Sequence, residues 1–185
     1  MKTRKIILLA AIALFAVIYA VQTVLASKSS VKTFKLEDTI DLIEINSKEN
    51  GKITLAKNGD EWTVNGENAD SSRVEYLKKA LLSIKTLGVS TNGNDEATNE
   101  RYGLTENKII EVSASAGGKS LRSLTIGKDT ATGQQNYVRI DGSSEVYIAT
   151  GSLQDRFSIK ADDLKKTEPK ETLEAKPEEK PVADL

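Results

Sequence analysis

Apolar residues recur along this chain in three rhythms. From Ile6 to Ala26 ("IILLAAIALFAVIYAVQTVLA") they are nearly continuous, with no charged residue. Between Leu36 and Leu164 they mostly alternate with polar ones, the signature of strands with one buried face. In "ADSSRVEYLKKALLSIKTLG" they fall instead at Val74, Leu77, Leu81 and Ile84, spacings of three and four that predict a helix closed by Gly88. Asp70 or Ser71 can cap it, and Ser72 with Glu75 fits a capping box.

Strands are expected at Ile40–Asn46, through "KITLAKN" and "EWTV", in "KIIEVSAS", in "KSLRSLTIGK", and in "NYVRI" and "EVYIAT". Asn58-Gly59-Asp60 and Asp141-Gly142 read as hairpin turns. "GSLQDRF" predicts a short last helix, with Ser152 and Asp155 as its capping pair. The sum is an α+β domain: an antiparallel, hairpin-rich sheet, one long packing helix and a short C-terminal helix. "IEINSKENGK" (Ile43–Lys52) and "IEVSASAGGK" (Ile110–Lys119) align without a gap, which leaves open two duplicated β-plus-helix units.

This divides the chain into four parts. Residues 1–26 carry Lys2, Arg4 and Lys5 ahead of the apolar run, whose length as a helix is about that of a bilayer core. An N-terminal transmembrane signal-anchor is expected, with the basic flank in the cytoplasm and the rest exported. Val24-Leu25-Ala26 before Ser27 also makes a passable cleavage site, so a secreted form cut after Ala26 is the alternative. Residues 27–37 read as a polar tether and 38–164 as the globular domain. Residues 165–185 hold all three prolines and many charges, and are expected to be a disordered tail.

Composition removes several chemistries. Lys and Arg (26) balance Asp and Glu (27), so no basic field gathers nucleic acid. The chain has no Cys and no His, which excludes disulfides, thiolate nucleophiles and Ser-His or Cys-His pairs. Gly127-Lys128 is followed by Asp129, and Gly118-Lys119-Ser120 lacks the first Gly of a phosphate loop. Strands follow both, so no nucleotide is expected. Asn92, Asn94 and Glu96 alternate as in a calcium loop, but Ala97 and Gly103 stand where that loop needs Gly and Glu. No cofactor and no metal is expected.

Trp62, the Tyr102-Gly103-Leu104 turn, Gly127, Gly133, Tyr137, Arg139 and Val146-Tyr147, in that order, resemble the bacterial domain-of-unknown-function family 4340 over roughly Asp38 to Leu164. The resemblance implies a membrane-anchored extracytoplasmic protein of the kind often encoded beside ABC-type gliding-motility auxiliary transport systems. It supplies no catalytic residue. The expected function is therefore a non-catalytic accessory or interaction module of an envelope complex, partnered by the cytoplasmic membrane and an envelope protein. Trp62, Tyr102, Tyr137, Arg139 and Tyr147 form its candidate interaction surface. One alternative is a glycan binder using those aromatic faces. Another is a carboxylate hydrolase using Asp60, Glu61, Asp141 or Glu145.

Overall fold

The computed structural model describes residues 7, 11–22 and 31–166. Residues 11–22 (α1) are helical, about 18 Å long at 1.5 Å per residue. Among the described residues no helix is long and apolar enough to cross a membrane. The rest of the expected anchor, and residues 167–185, lie outside the described residues.

The other described residues build one ten-stranded antiparallel sheet with helices, an α+β domain. The strands are β1 (Lys32–Lys35), β2 (Leu42–Ser47), β3 (Gly51–Asn58), β4 (Glu61–Val64), β5 (Glu67–Asn68), β6 (Ser83–Asn92), β7 (Ile110–Ala116), β8 (Lys119–Asp129), β9 (Gln135–Ile140) and β10 (Glu145–Thr150). Their order is β1-β6-β10-β9-β8-β7-β2-β3-β4-β5. The helices are α2 (Ser71–Leu82), α3 (Glu96–Tyr102) and α4 (Leu153–Phe157), with a 3-10 turn at Ala161–Leu164.

The two stretches that echo each other in sequence form the hairpins β2–β3 and β7–β8, and β2 pairs with β7 at Ile43↔Ala114 and Ile45↔Val112. Outward from that pair the order reads β2-β3-β4-β5 one way and β7-β8-β9-β10 the other. A helix follows each run. The chain beyond each helix then joins the end of the opposite run. β6 pairs with β10, and Lys165 bridges Ala69 beside β5.

The alternation seen in the sequence sorts the sheet's two faces. Ile43, Ile45, Ile53, Leu55, Val112, Leu124, Ile126, Val138 and Ile140 are buried, together with Val74, Leu77 and Leu81 of α2 and Leu153 and Phe157 of α4. The sheet cannot be flat. Eight strand spacings of about 4.8 Å would separate β5 from β6 by roughly 38 Å. The connection between them is α2, about 18 Å long, plus Ala69 and Asp70, which add at most about 7 Å. The sheet therefore curls around its helices. Arg122 on β8 shows the same closure: it is buried, and its Nη1 and Nη2 donate to the carbonyls of Phe34 and Lys35 at 3.3 and 3.4 Å, although β1 is four strands away.

Several expectations are corrected. The helix ends at Leu82, not Gly88. Ile84 belongs to β6, where Ile84, Thr86 and Gly88 are buried at alternate positions, and the β-branched residues there suit a strand fitted between β1 and β10. Part of the expected tether, Lys32–Lys35, is strand β1, paired with β6. The polar loop at Ser90–Arg101 holds the end of β6 and α3. Ser152 makes no side-chain cap: it sits at φ 47°, ψ 54°, a left-handed conformation. Asp70 alone caps α2, its Oδ1 accepting from the N–H groups of Ser72 (2.8 Å) and Arg73 (3.3 Å). Glu75 pairs with Lys78 instead, at 2.5 Å.

Asp70→Ala should accordingly lower the unfolding free energy in urea by about 1 kcal/mol. Glu75→Ala should cost no more than about 0.5 kcal/mol. The opposite ranking would reinstate the Ser72–Glu75 box.

Candidate functional site

Three of the five candidate surface residues come together on the outer face of the sheet. On β9, Asn136, Val138 and Ile140 are buried toward the helices, so Tyr137 and Arg139 point the other way. The stretch Gly93–Leu104 covers them. Its helix α3 starts at Asp95, whose carboxylate accepts from the Thr98 N–H (2.9 Å) and Thr98 hydroxyl (2.7 Å). Those two bonds favour the ionised form and hold the Asp95 carboxyl below its ordinary range.

α3 ends at Gly103, which sits at φ 68°. The Leu104 N–H then reaches back to the Asn99 carbonyl at 2.8 Å, closing a Schellman-type turn. That turn lies directly on β8. A Cβ on Gly127 would collide with the Tyr102 carbonyl oxygen and come within 3.0 Å of the Leu104 side chain. A Cβ on Gly103 would stand 2.9 Å from Lys128. "YGL" and "TIGK" are thus two halves of one backbone-to-backbone contact that only glycine permits.

The contact sets the Tyr102 ring edge-on to Tyr137, with centroids 4.8 Å apart. Beside them Arg139 donates from Nη1 to Asn99 Oδ1 (2.9 Å) and from Nη2 to the Gly93 carbonyl (2.6 Å). Its Nε is buried without a partner, and among the described residues no carboxylate forms an ion pair with it. Burial lowers its pKa, opposed by the nearby Asp95 charge. The result is an ordered patch of two tyrosines and a half-buried cation. An open groove of about 550 Å³ runs beside it, lined by Thr91, Thr98, Glu100 and Arg101 among others. Such a patch can hold a partner surface through aromatic and arginine contacts.

The other two candidates are elsewhere. Trp62 is only 4 % exposed on β4, with Lys78 Nζ 5.5 Å from its ring centroid. Tyr147 is equally buried on β10, edge-on to Phe34, and its hydroxyl donates to Glu145. Burial, then that carboxylate, raise its pKa. Alternation with Val64 puts Trp62 on the core face, and pairing with buried Val138 puts Tyr147 on the core face too. Neither ring is a surface for a partner. The four acids divide between two hairpins. Asp60 and Glu61 lie at the β3–β4 turn. Asp141 accepts from the Ser123 N–H at 2.9 Å, within its own sheet corner, and Glu145 is engaged by Tyr147.

A second feature had no signal among the sequence motifs. α2 and α4 diverge to leave a cleft of about 630 Å³, lined by Arg73, Tyr76, Leu77, Asp155, Arg156 and Ile159, with Ser72 and Ser152 at the helix starts. The Arg156 guanidinium lies 4.4 Å from the Tyr76 ring centroid. Tyr76 is the one aromatic off the apolar stripe of α2, which was its only trace in the sequence.

A curled antiparallel α+β sheet, with a glycine-locked helical patch on one face and a helix cleft on the other, defines the class. The chain belongs to the family described as Domain of unknown function (DUF4340), which matches residues 62–179. No curated protein and no solved structure matches it.

Replacing Gly127 tests the lock. Gly127→Ala should cost roughly 1–3 kcal/mol in urea unfolding, as overpacking does. It should also speed hydrogen exchange at the Leu104 N–H, with the β2–β7 amides unaffected. Unchanged stability and exchange would mean that the turn does not press on β8.

Proposed function

We propose that this protein is a non-catalytic, membrane-anchored extracytoplasmic module that docks onto a cell-envelope complex of ABC-transport type. The observation that carries the reading is the apolar surface of α1. Phe15 and Tyr19 are about 70 % exposed, and Ile12, Leu14, Val17, Ile18 and Val21 are exposed around them. A helix apolar on all sides is at home in lipid, and it follows Lys2, Arg4 and Lys5, the charge bias of a cytoplasmic flank.

The attachment of the domain supports the same reading. Chain leaving the anchor enters the sheet at β1 a few residues later, where Arg122 holds Phe34 and Lys35 by their carbonyls. A domain so attached stays close to the membrane, where the Tyr102–Tyr137–Arg139 patch can meet an envelope partner. The idea of two duplicated units draws support from the mirrored strand order about the β2–β7 pair. Glycan binding has no observation in its favour once Trp62 and Tyr147 are in the core, and the acids of a hydrolase are split between hairpins.

Crosslinking the tagged full-length protein in cells, followed by detergent extraction and mass spectrometry, tests the proposal. Recovery of one membrane complex in near-equal amount is expected. Recovery of the protein alone, with Ser27 at its N-terminus, would replace the module by a released protein.

A further inference from the structure

The outer face of the β1–β6 corner combines features that a solvated sheet face does not need. Ile84 and Thr86 of β6 are buried, so Ser83, Lys85 and Leu87 point outward, and all three are exposed. Across the ladder Thr33 pairs with Lys85 and Lys35 with Ser83, which puts both lysines on that face. One residue beyond the Lys32–Thr86 pair, Val31 and Leu87 are 57 % and 39 % exposed. Among the described residues of the domain, Tyr76 is the one other exposed large apolar side chain.

The apolar row continues inward. Next to Leu87, Gly88 pairs with Ile148, and Ile148 pairs with Tyr137, so apolar side chains cross β6, β10 and β9 at one level. The lysines beside the row are not neutralised. Among the described residues no carboxylate forms an ion pair with Lys35 or Lys85, not even Glu37 and Asp38, the acids nearest Lys35 in the chain.

A protein or a bilayer could cover such a row, and the lysines separate the two. Protein contacts deplete lysine, whereas an anionic bilayer surface attracts it. A lysine stem lies along apolar surface while its ammonium reaches a headgroup phosphate. β1 is also the first strand that chain leaving α1 reaches, so this corner is the part of the domain nearest α1 along the chain.

We infer that the outer face of the β1–β6 corner lies on the surface of the membrane that holds α1. Lys35 and Lys85 meet anionic lipid headgroups there, and Val31 and Leu87 meet the boundary of the acyl region. The inference rests on the membrane-anchored reading and adds an orientation to it. The row ends at Tyr137, so the Tyr102–Tyr137–Arg139 patch is held near headgroup level, where a partner embedded in the same membrane meets it.

The full chain has no cysteine, so one nitroxide label can be placed on it at will. Leu87→Cys reports the corner, and Glu49→Cys, in the exposed β2–β3 turn, is the control. Collisions of the label with a neutral, water-soluble nickel chelate are measured in phosphatidylethanolamine–phosphatidylglycerol vesicles and in phosphatidylcholine vesicles. At position 87 they should be several-fold rarer in the anionic vesicles, and at position 49 equal in both. Lys35→Gln with Lys85→Gln should lower the docked-to-free ratio about thirtyfold, a factor of about five for each lysine, and abolish the difference. Flotation with the vesicles reports the anchor separately. Protein that does not float would remove the anchor and the inference with it. Protein that floats, with position 87 equally open in both vesicles, would keep the anchor and overturn the lipid contact. Protection that rises with the protein-to-lipid ratio would assign the corner to a second copy and overturn it as well.

Discussion

The short link from β5 to β6 governs the architecture. Twelve helical residues and two more must join strands that stand at nearly opposite ends of a ten-stranded order. The sheet can satisfy that link only by curling. Curling in turn solves the burial problem, because α2 and the five-residue α4 are too little helix to cover a flat ten-stranded face. It also brings Arg122 to β1 and Lys165 to Ala69, contacts that fasten the two ends of the described domain. The places where the chain enters the sheet at β1 and leaves it at Lys166 are both set by the curl.

A second constraint acts on the outer face. Gly127 and Gly103 let backbone meet backbone, and that meeting aims Tyr102 at Tyr137 and brings Asn99 to Arg139. The patch is therefore built on a rigid strand rather than on a free loop. A half-buried arginine whose Nε has no partner is costly unless the rest of its head is well bonded, and the Gly93 carbonyl and Asn99 supply those bonds. The order of this surface is what supports the proposal that it meets a partner.

Much of the fold was legible from residue spacing. Period-two runs with Asn58-Gly59 and Asp141-Gly142 between them gave the hairpins, because those turns need residues that tolerate positive φ. The end of α2 was not legible. Ile84 satisfies the helical spacing from Leu81 and the strand spacing to Thr86 equally, and only the place waiting between β1 and β10 decides. α3 was hidden because Ser90–Arg101 has no apolar stripe; its signal was Asp95 three residues before Thr98. Of the candidate site, Tyr137 and Arg139 were readable from alternation with Val138 and Ile140. The face taken by Tyr147 depends on its pairing with Val138 of β9, and the α2–α4 cleft depends on packing between distant helices. Neither leaves a local mark in the chain.

The curl is open to direct measurement by electron–electron double resonance between spin labels at Lys35→Cys on β1 and Asn68→Cys on β5. In a flat sheet of this order the two strands stand nine spacings apart, roughly 43 Å. The α2 link and one further spacing allow at most about 30 Å. A distribution centred near or below 30 Å is the predicted result, and one centred beyond about 40 Å would contradict the curled sheet on which the contacts of Arg122 with β1 rest.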